Sequence, residues 1–306
     1  MKLLSFIEKH VGLVFCGALV LGIVAPVSWT GVSSLLTPLM GFLLFLSFLG
    51  VNLAQIKSEL KQPARLALQV FLYFVVLPVV LYYTVRLLGL PAFALATLLL
   101  TAAPAGLGSP VFTSIAGGRT ATSVVLSVIT HVLVPFTIPL IFWAFTDVTV
   151  QVDTLAMAKQ LGLLIGVPML LSFGSQKYLP AVVAAINPWR RLLSIAVLAG
   201  IAYIAIVPYS GVIRSDVLSI VPTLAGTYLI FVVLSLTAFV FTRGKPTDER
   251  IAVILSRTYM NITLTIVLAV KFLDPAVALV LVLANVPWFT TFGAYLWFQK
   301  RFITRS

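Results

Sequence analysis

The sequence predicts an all-α polytopic membrane protein: ten transmembrane helices forming two inverted five-helix repeats, with interrupted, crossing helices 4 and 9. Three observations predict it. Of 306 residues, 61% are hydrophobic and 9% charged, where an ordinary soluble domain carries about 25% charged residues. Apolar runs recur along the whole chain, long enough to cross a hydrocarbon layer that takes about 20 residues to span. Lys and Arg between the runs divide unequally when the loops are assigned alternately to two sides.

The runs fall at 11 to 30, 35 to 54, 66 to 87, 91 to 116, 120 to 145, 158 to 174, 188 to 208, 217 to 241, 250 to 271 and 275 to 298. In lipid every backbone group must be paired, which leaves helices or closed barrels, and these runs lack the alternation of barrel strands. Lys2 and Lys9 precede the first run as in a signal peptide. That run is long and closes without a small-x-small cleavage pattern, so it is read as a span. Fifteen basic residues lie on the side of the amino terminus and four on the other. This bias places both termini in the cytoplasm of an inner (plasma) membrane protein. The net charge of +12 is scattered between runs, so it reads as topology in a lipid bilayer and not as a nucleic-acid surface. Cys16 is the single cysteine, which leaves no disulfide framework and no cysteine metal site. No cofactor and no metal are expected, and the chain is expected to be monomeric.

The longest polar connection, Asp147 to Asp153, divides the chain into a first repeat at 1–150 and a second at 151–306. Five spans per half make the second half enter the membrane in the opposite direction. That inverted arrangement is typical of secondary transporters with a midplane site.

Two spans break the helical pattern. Span four reads Thr101-Ala-Ala-Pro-Ala-Gly-Leu-Gly-Ser-Pro110, two prolines and two glycines, Gly106 and Gly108, inside an apolar run. Proline removes a donor and clashes with the preceding turn, so unwinding is expected here. Span nine carries the polar cluster Ser256, Arg257, Thr258, Asn261, Thr263 and Thr265. Matched interrupted spans in the two halves point to a transporter site. Arg257 lies seven residues into its run, where a charge costs about 2.5–3.5 kcal/mol even on a lenient insertion scale. It is expected to face a cavity or partner instead of snorkelling to the cytoplasmic surface.

All eight acidic residues lie at termini, in loops or at span ends. A buried carboxylate relay or cation site is therefore not expected, and a fixed guanidinium favours an anionic substrate. Span five places Ser123, Ser127 and Thr130 or His131 along one face, and Asn285 is a polar position in span ten. The candidate substrate-binding residues are Arg257, Asn261, Ser256, Thr258, Ser109, Gly108, His131 and Asn285.

These residues resemble the bile-acid:sodium symporter family, through the interrupted fourth and ninth spans and a fifth span that begins Gly118-Arg119-Thr120-Ala121-Thr122-Ser123. The resemblance is continuous over 104–135 and 244–268 and elsewhere rests on span order. It implies a panel domain of helices 1, 2, 6 and 7 and a core domain of helices 3–5 and 8–10, with substrate in the crevice between them. It also implies ion-site remnants at Ser109, Ser123, Ser127, Ser256 and Asn261. The family's Ser-Asn pair becomes Ser109-Pro110. Its ninth-span Glu and Gln become Ser256 and Met260, and a span-three Gln becomes Tyr73. Losing a Glu beside a new Arg257 shifts local charge by about two units, which should repel sodium.

The expectation is a secondary transporter of a small organic anion, by alternating access and without sodium coupling. A sodium-coupled symporter with a partial ion site is the alternative, and a non-transporting sensor derived from the fold is a third reading. An arsenite-type exporter is disfavoured because Cys16 lies outside the interrupted spans. An enzyme is not expected, since neither paired acids nor a nucleophile with its base stands at membrane depth.

Overall fold

A computed structural model describes residues 11–27, 31–51, 63–146 and 152–303, and among them the chain is helical apart from turns, short connections and one isolated backbone bridge. In order these helices are α1 (Val11–Val24), α2 (Leu36–Phe48), α3 (Pro63–Phe71), α4 (Leu77–Leu87), α5 (Pro91–Ala102), α6 (Ser109–Ile115), α7 (Thr120–Phe145) and α8 (Thr154–Tyr178). They continue with α9 (Pro180–Ile206), α10 (Ser210–Ser215), α11 (Val221–Phe241), α12 (Thr247–Thr258), α13 (Ile262–Phe272), α14 (Pro275–Leu283) and α15 (Asn285–Phe302). Six helical stretches among the described residues are long and apolar enough to cross a membrane: Ala67–Leu87, Thr120–Phe145, Thr154–Tyr178, Pro180–Ser215, Val217–Phe241 and Pro275–Phe302. Leu13–Val24, Val32–Phe48, Pro91–Ala102 and Ile262–Phe272 are shorter apolar helices.

Several boundaries differ from the hydropathy reading. The run expected at 188 to 208 belongs to a helix that starts at Pro180 and passes through Pro188. Asn187, Arg190 and Arg191 lower the hydropathy of that first part without unwinding it. Helix α1 stops at Val24, ahead of Pro26, and the expected run to 30 ends outside the described residues. The run at 275 to 298 is interrupted at Ala284, between α14 and α15. Between α3 and α4 lies a wide turn, Leu72–Val76, in which Leu77 N–H donates to Leu72 O, five residues back. Pro78 follows directly. It has no N–H to give and crowds the carbonyl of the preceding turn, and a wide turn absorbs that defect.

The described residues form two compact units, one from Met1–Val51 and Leu161–Pro222, the other from Asn52–Gln160 and Thr223–Ser306. In the first unit α9 lies along α1 and α2. Gly22 permits that approach, because a Cβ there would overlap the Ile206 side chain, and the Tyr203 hydroxyl donates to Ala25 O at 2.8 Å. The last turn of α2 leaves carbonyls without helical partners. Gln176 Nε2 donates to Phe48 O at 3.1 Å and Arg190 Nη1 to Leu46 O at 3.5 Å. The Arg190 guanidinium occupies the space that a side chain at Gly50 would need.

The second unit has a buried core built on Val70, Tyr73, Phe74, Leu126, Leu255 and Tyr259. Both interrupted spans belong to it.

Candidate functional site

Helix α5 ends at Ala102, and the chain runs on in other conformations to Ser109, where α6 begins. Helix α12 ends at Thr258, and α13 begins at Ile262. The two breaks meet in an antiparallel bridge between Ala105 and Met260. Gly106 N–H donates to Tyr259 O at 2.9 Å, and Asn261 N–H to Pro104 O at 2.8 Å. Gly106 is required by proximity: a Cβ there would overlap the Tyr259 carbonyl oxygen.

Unpaired backbone groups are costly at membrane depth, and neighbouring side chains take up those that the bridge leaves. Ala105 N–H donates to Thr130 Oγ1 at 3.0 Å, Ser127 Oγ to Gly106 O at 3.0 Å and Trp288 Nε1 to Met260 O at 3.0 Å. Trp288 and Phe112 pack on Tyr259, with ring centroids 5.7 and 4.8 Å away. Prolines and glycines thus open the helices, and α7 and α15 supply what the openings lack.

Four of the expected residues converge beneath the crossing. Ser109 Oγ stands 3.0 Å from Ser123 Oγ and 3.2 Å from Ser127 Oγ, and Ser123 Oγ stands 2.8 Å from Ser256 Oγ. All four are buried. The proton order follows by elimination. Ser127 must donate to the Gly106 carbonyl, which can only accept. It therefore accepts from Ser109, which accepts from Ser123, which accepts from Ser256. Each oxygen keeps at least one lone pair unused.

A second pair forms beside the cluster. His131 Nδ1 donates to Ser127 O at 2.7 Å, so Nε2 is the acceptor and receives Asn261 Nδ2–H at 2.9 Å. Asn261 Oδ1 in turn accepts Leu264 N–H at 3.2 Å and caps α13. The remaining candidates are not brought together. Thr258 Oγ1 pairs with Ser235 of α11 at 3.0 Å. Asn285 donates its amide to Val282 O of the preceding turn at 2.9 Å. Gly108 is exposed, and a Cβ there would meet nothing within 4 Å. Asn261 is partly exposed.

Arg257 follows Ser256, so the two side chains leave α12 about 100° apart. Ser256 faces α7, whereas the Arg257 guanidinium lies over the Phe74 ring, 5.2 Å from its centroid. It is 1% exposed and does not snorkel. None of its three side-chain nitrogens has a hydrogen-bond partner among the described residues.

The described carboxylates are occupied elsewhere. Asp153, Asp216 and Asp274 accept backbone N–H groups at helix starts. Glu249 accepts from Lys245 at 3.1 Å. Asp248 takes Arg119 Nε at 2.9 Å and Nη2 at 3.3 Å, and its carbonyl accepts Arg119 N–H at 2.9 Å. This ties the start of α7 to the start of α12. The Arg119 hydrogen bonds hold the Asp248 carboxyl below the ordinary carboxylate range. No cluster of three or more His, Cys, Asp or Glu able to hold a metal occurs among the described residues.

Sequence reasoning did not foresee the roles of Thr130 and Trp288 as backbone partners of the breaks. Trp288 lies 28 residues from Met260, and an indole N–H reaching a carbonyl leaves no local sequence pattern.

An all-helical chain with several membrane-length apolar helices, two of whose interrupted segments meet at their breaks, has the construction of a membrane transport protein. The chain belongs to the sodium bile acid symporter family, whose model matches residues 37–217. That is a family of transporters, not enzymes. The chain is 31% identical over 127 residues to the "Uncharacterized sodium-dependent transporter YocS" of Bacillus subtilis, covering 41% of this chain and 40% of that protein. It is 26% identical over 172 residues to the "Probable sodium/metabolite cotransporter BASS1, chloroplastic" of Oryza sativa subsp. japonica, covering 56% of this chain and 42% of that one. The matched segments thus span less than half the length of these relatives.

Proposed function

We propose that this protein is a secondary transporter of a small organic anion that works by alternating access without sodium coupling. In this reading ten spans form two inverted repeats, 1–150 and 151–306, with helices 3–5 and 8–10 as a moving core against a panel of helices 1, 2, 6 and 7. Both termini lie in the cytoplasm of a plasma membrane protein. Substrate meets the crossing where Gly108 and Asn261 are exposed, and the guanidinium of Arg257 sets the sign of charge there. The carrying observation is that the crossing holds four neutral hydroxyls and a fixed buried cation, with no carboxylate beside them among the described residues. A sodium ion placed there would meet positive charge in a poorly screened interior.

A second reading, sodium-coupled symport, draws on the unused lone pairs of the four hydroxyls and on the sodium named in both relatives. Uptake of labelled organic anions into proteoliposomes, with sodium replaced by choline, separates the two. Equal uptake in both media is expected, and uptake that required sodium would overturn the first reading.

A further inference from the structure

Arg257 is the eleventh of the twelve residues of α12, about 15 Å along the helix from its start at 1.5 Å per residue. Its guanidinium offers five N–H donors and cannot shed its charge. An unpaired buried charge is among the costliest things a folded chain can hold. At Arg250 and Arg190 only Nε is both buried and without a partner among the described residues. At Arg257 all three nitrogens are left.

Phe74 does not answer the deficit. A ring 5.2 Å from the guanidinium carbon satisfies the cation's charge in part, but it has no oxygen or nitrogen lone pair to accept the five N–H groups. Tyr73, on the same turn as Phe74, is close enough to interact electrostatically with Arg257, but its phenol makes no hydrogen bond to the guanidinium. Ser256 donates its proton to Ser123, and the described carboxylates are committed at helix starts and to Lys245 and Arg119. The guanidinium thus has an aromatic ring and a phenol near it and no carboxylate bound to it among the described residues. The residue is 1% exposed, so a partner for it must be small enough to be buried with it.

We infer that the Arg257 guanidinium, backed by Phe74 and flanked by Tyr73, forms a buried site for one halide-sized inorganic anion, chloride under cellular conditions. The anion accepts from the in-plane N–H groups and so holds the last turn of α12 in place. This site is independent of which organic anion the protein carries, and it holds whether or not that transport reading survives.

The test is thermal unfolding and equilibrium binding of radioactive chloride, both on the purified full chain in detergent. Sodium and ionic strength are held constant while chloride or bromide replaces gluconate. Ligand that binds only the folded state stabilises it by mass action. A saturable rise in Tm with either halide is therefore expected, together with about one chloride bound per chain. Arg257→Gln should abolish both responses, and Arg257→Lys should retain them with roughly tenfold weaker halide affinity. If Arg257→Gln does not fold, chloride binding to the wild-type chain and its weakening in Phe74→Leu carry the test. A wild-type chain that binds no chloride, or an Arg257→Gln chain that responds as wild type does, overturns the inference. Stabilisation by organic carboxylates but not by halides overturns it as well, and assigns the guanidinium to the substrate.

Discussion

Gly106 gives its backbone N–H to the Tyr259 carbonyl at 2.9 Å, and that same oxygen fills the place where a Cβ at Gly106 would go. The two interrupted helices are thus in contact backbone to backbone, with no side chain between them. Gly106→Ala must push the bridge apart. The expected cost is about 1–3 kcal/mol, the range for overpacking a rigid interior, read as a lower Tm together with lost transport. Gly108→Ala, where a Cβ meets nothing within 4 Å, should leave Tm unchanged. Any effect it has on uptake should appear as a higher KM.

Asp248 and Arg119 join the starts of α12 and α7. The folded carboxyl titrates below its unfolded value of about 3.9. Stability from this pair is therefore complete above about pH 5 and is lost as pH falls through the folded value. The side chains are 39% and 44% exposed, which limits the contribution to less than about 1 kcal/mol. Asp248→Asn should flatten that part of the stability profile below pH 5 and leave the backbone bond from Arg119 intact, as thermal unfolding across pH would show.

His131 Nε2 is the acceptor for the Asn261 amide. His131→Leu removes that amide's partner; because Asn261 is partly exposed, the expected cost is that of a typical lost hydrogen bond, about 0.5–1.5 kcal/mol. Asn261→Ala alone also removes the cap on Leu264. Comparing both single variants with the double variant should give a coupling of at least about 0.5 kcal/mol, as expected for contacting residues. Additive losses of Tm would count against the pairing.

In the other unit, Gly50→Ala should displace the Arg190 guanidinium from its place over residue 50. The Leu46 carbonyl then loses its donor, and a loss of about 1 kcal/mol is expected. Arg190→Met should cost a similar amount, and combining the two should add little, because each removes the same contact.

The positions of the two breaks were legible because Pro104, Gly106, Gly108 and Pro110, and the cluster from Ser256 to Asn261, announce themselves within a few residues. The convergence of Ser109, Ser123 and Ser127 was partly legible, since i, i+4 spacing on α7 puts the last two on one face. How each break is held was not. Thr130 and Trp288 act on backbone groups 25 and 28 residues away, and His131 accepts from the side-chain amide of Asn261, 130 residues away; such partners are chosen by packing. Arg257 stood out as a charge in an apolar run, whereas its ring partner Phe74 lies in another span, on a wide turn that only the proline at 78 hinted at. The start of α9 was misread because hydropathy marks where a helix becomes apolar and not where it begins.

The serines from Ser256 to Ser127 form a row in which every hydroxyl donates in the same sense. Because a single carbonyl, that of Gly106, fixes the direction of every O–H in the row, the four bond dipoles add instead of cancelling. Their electronegative end falls at the Ser256 oxygen, one residue from the guanidinium. A change as remote as Ser127→Ala would free the row to reverse and alter the field at Arg257 without displacing any atom of α12.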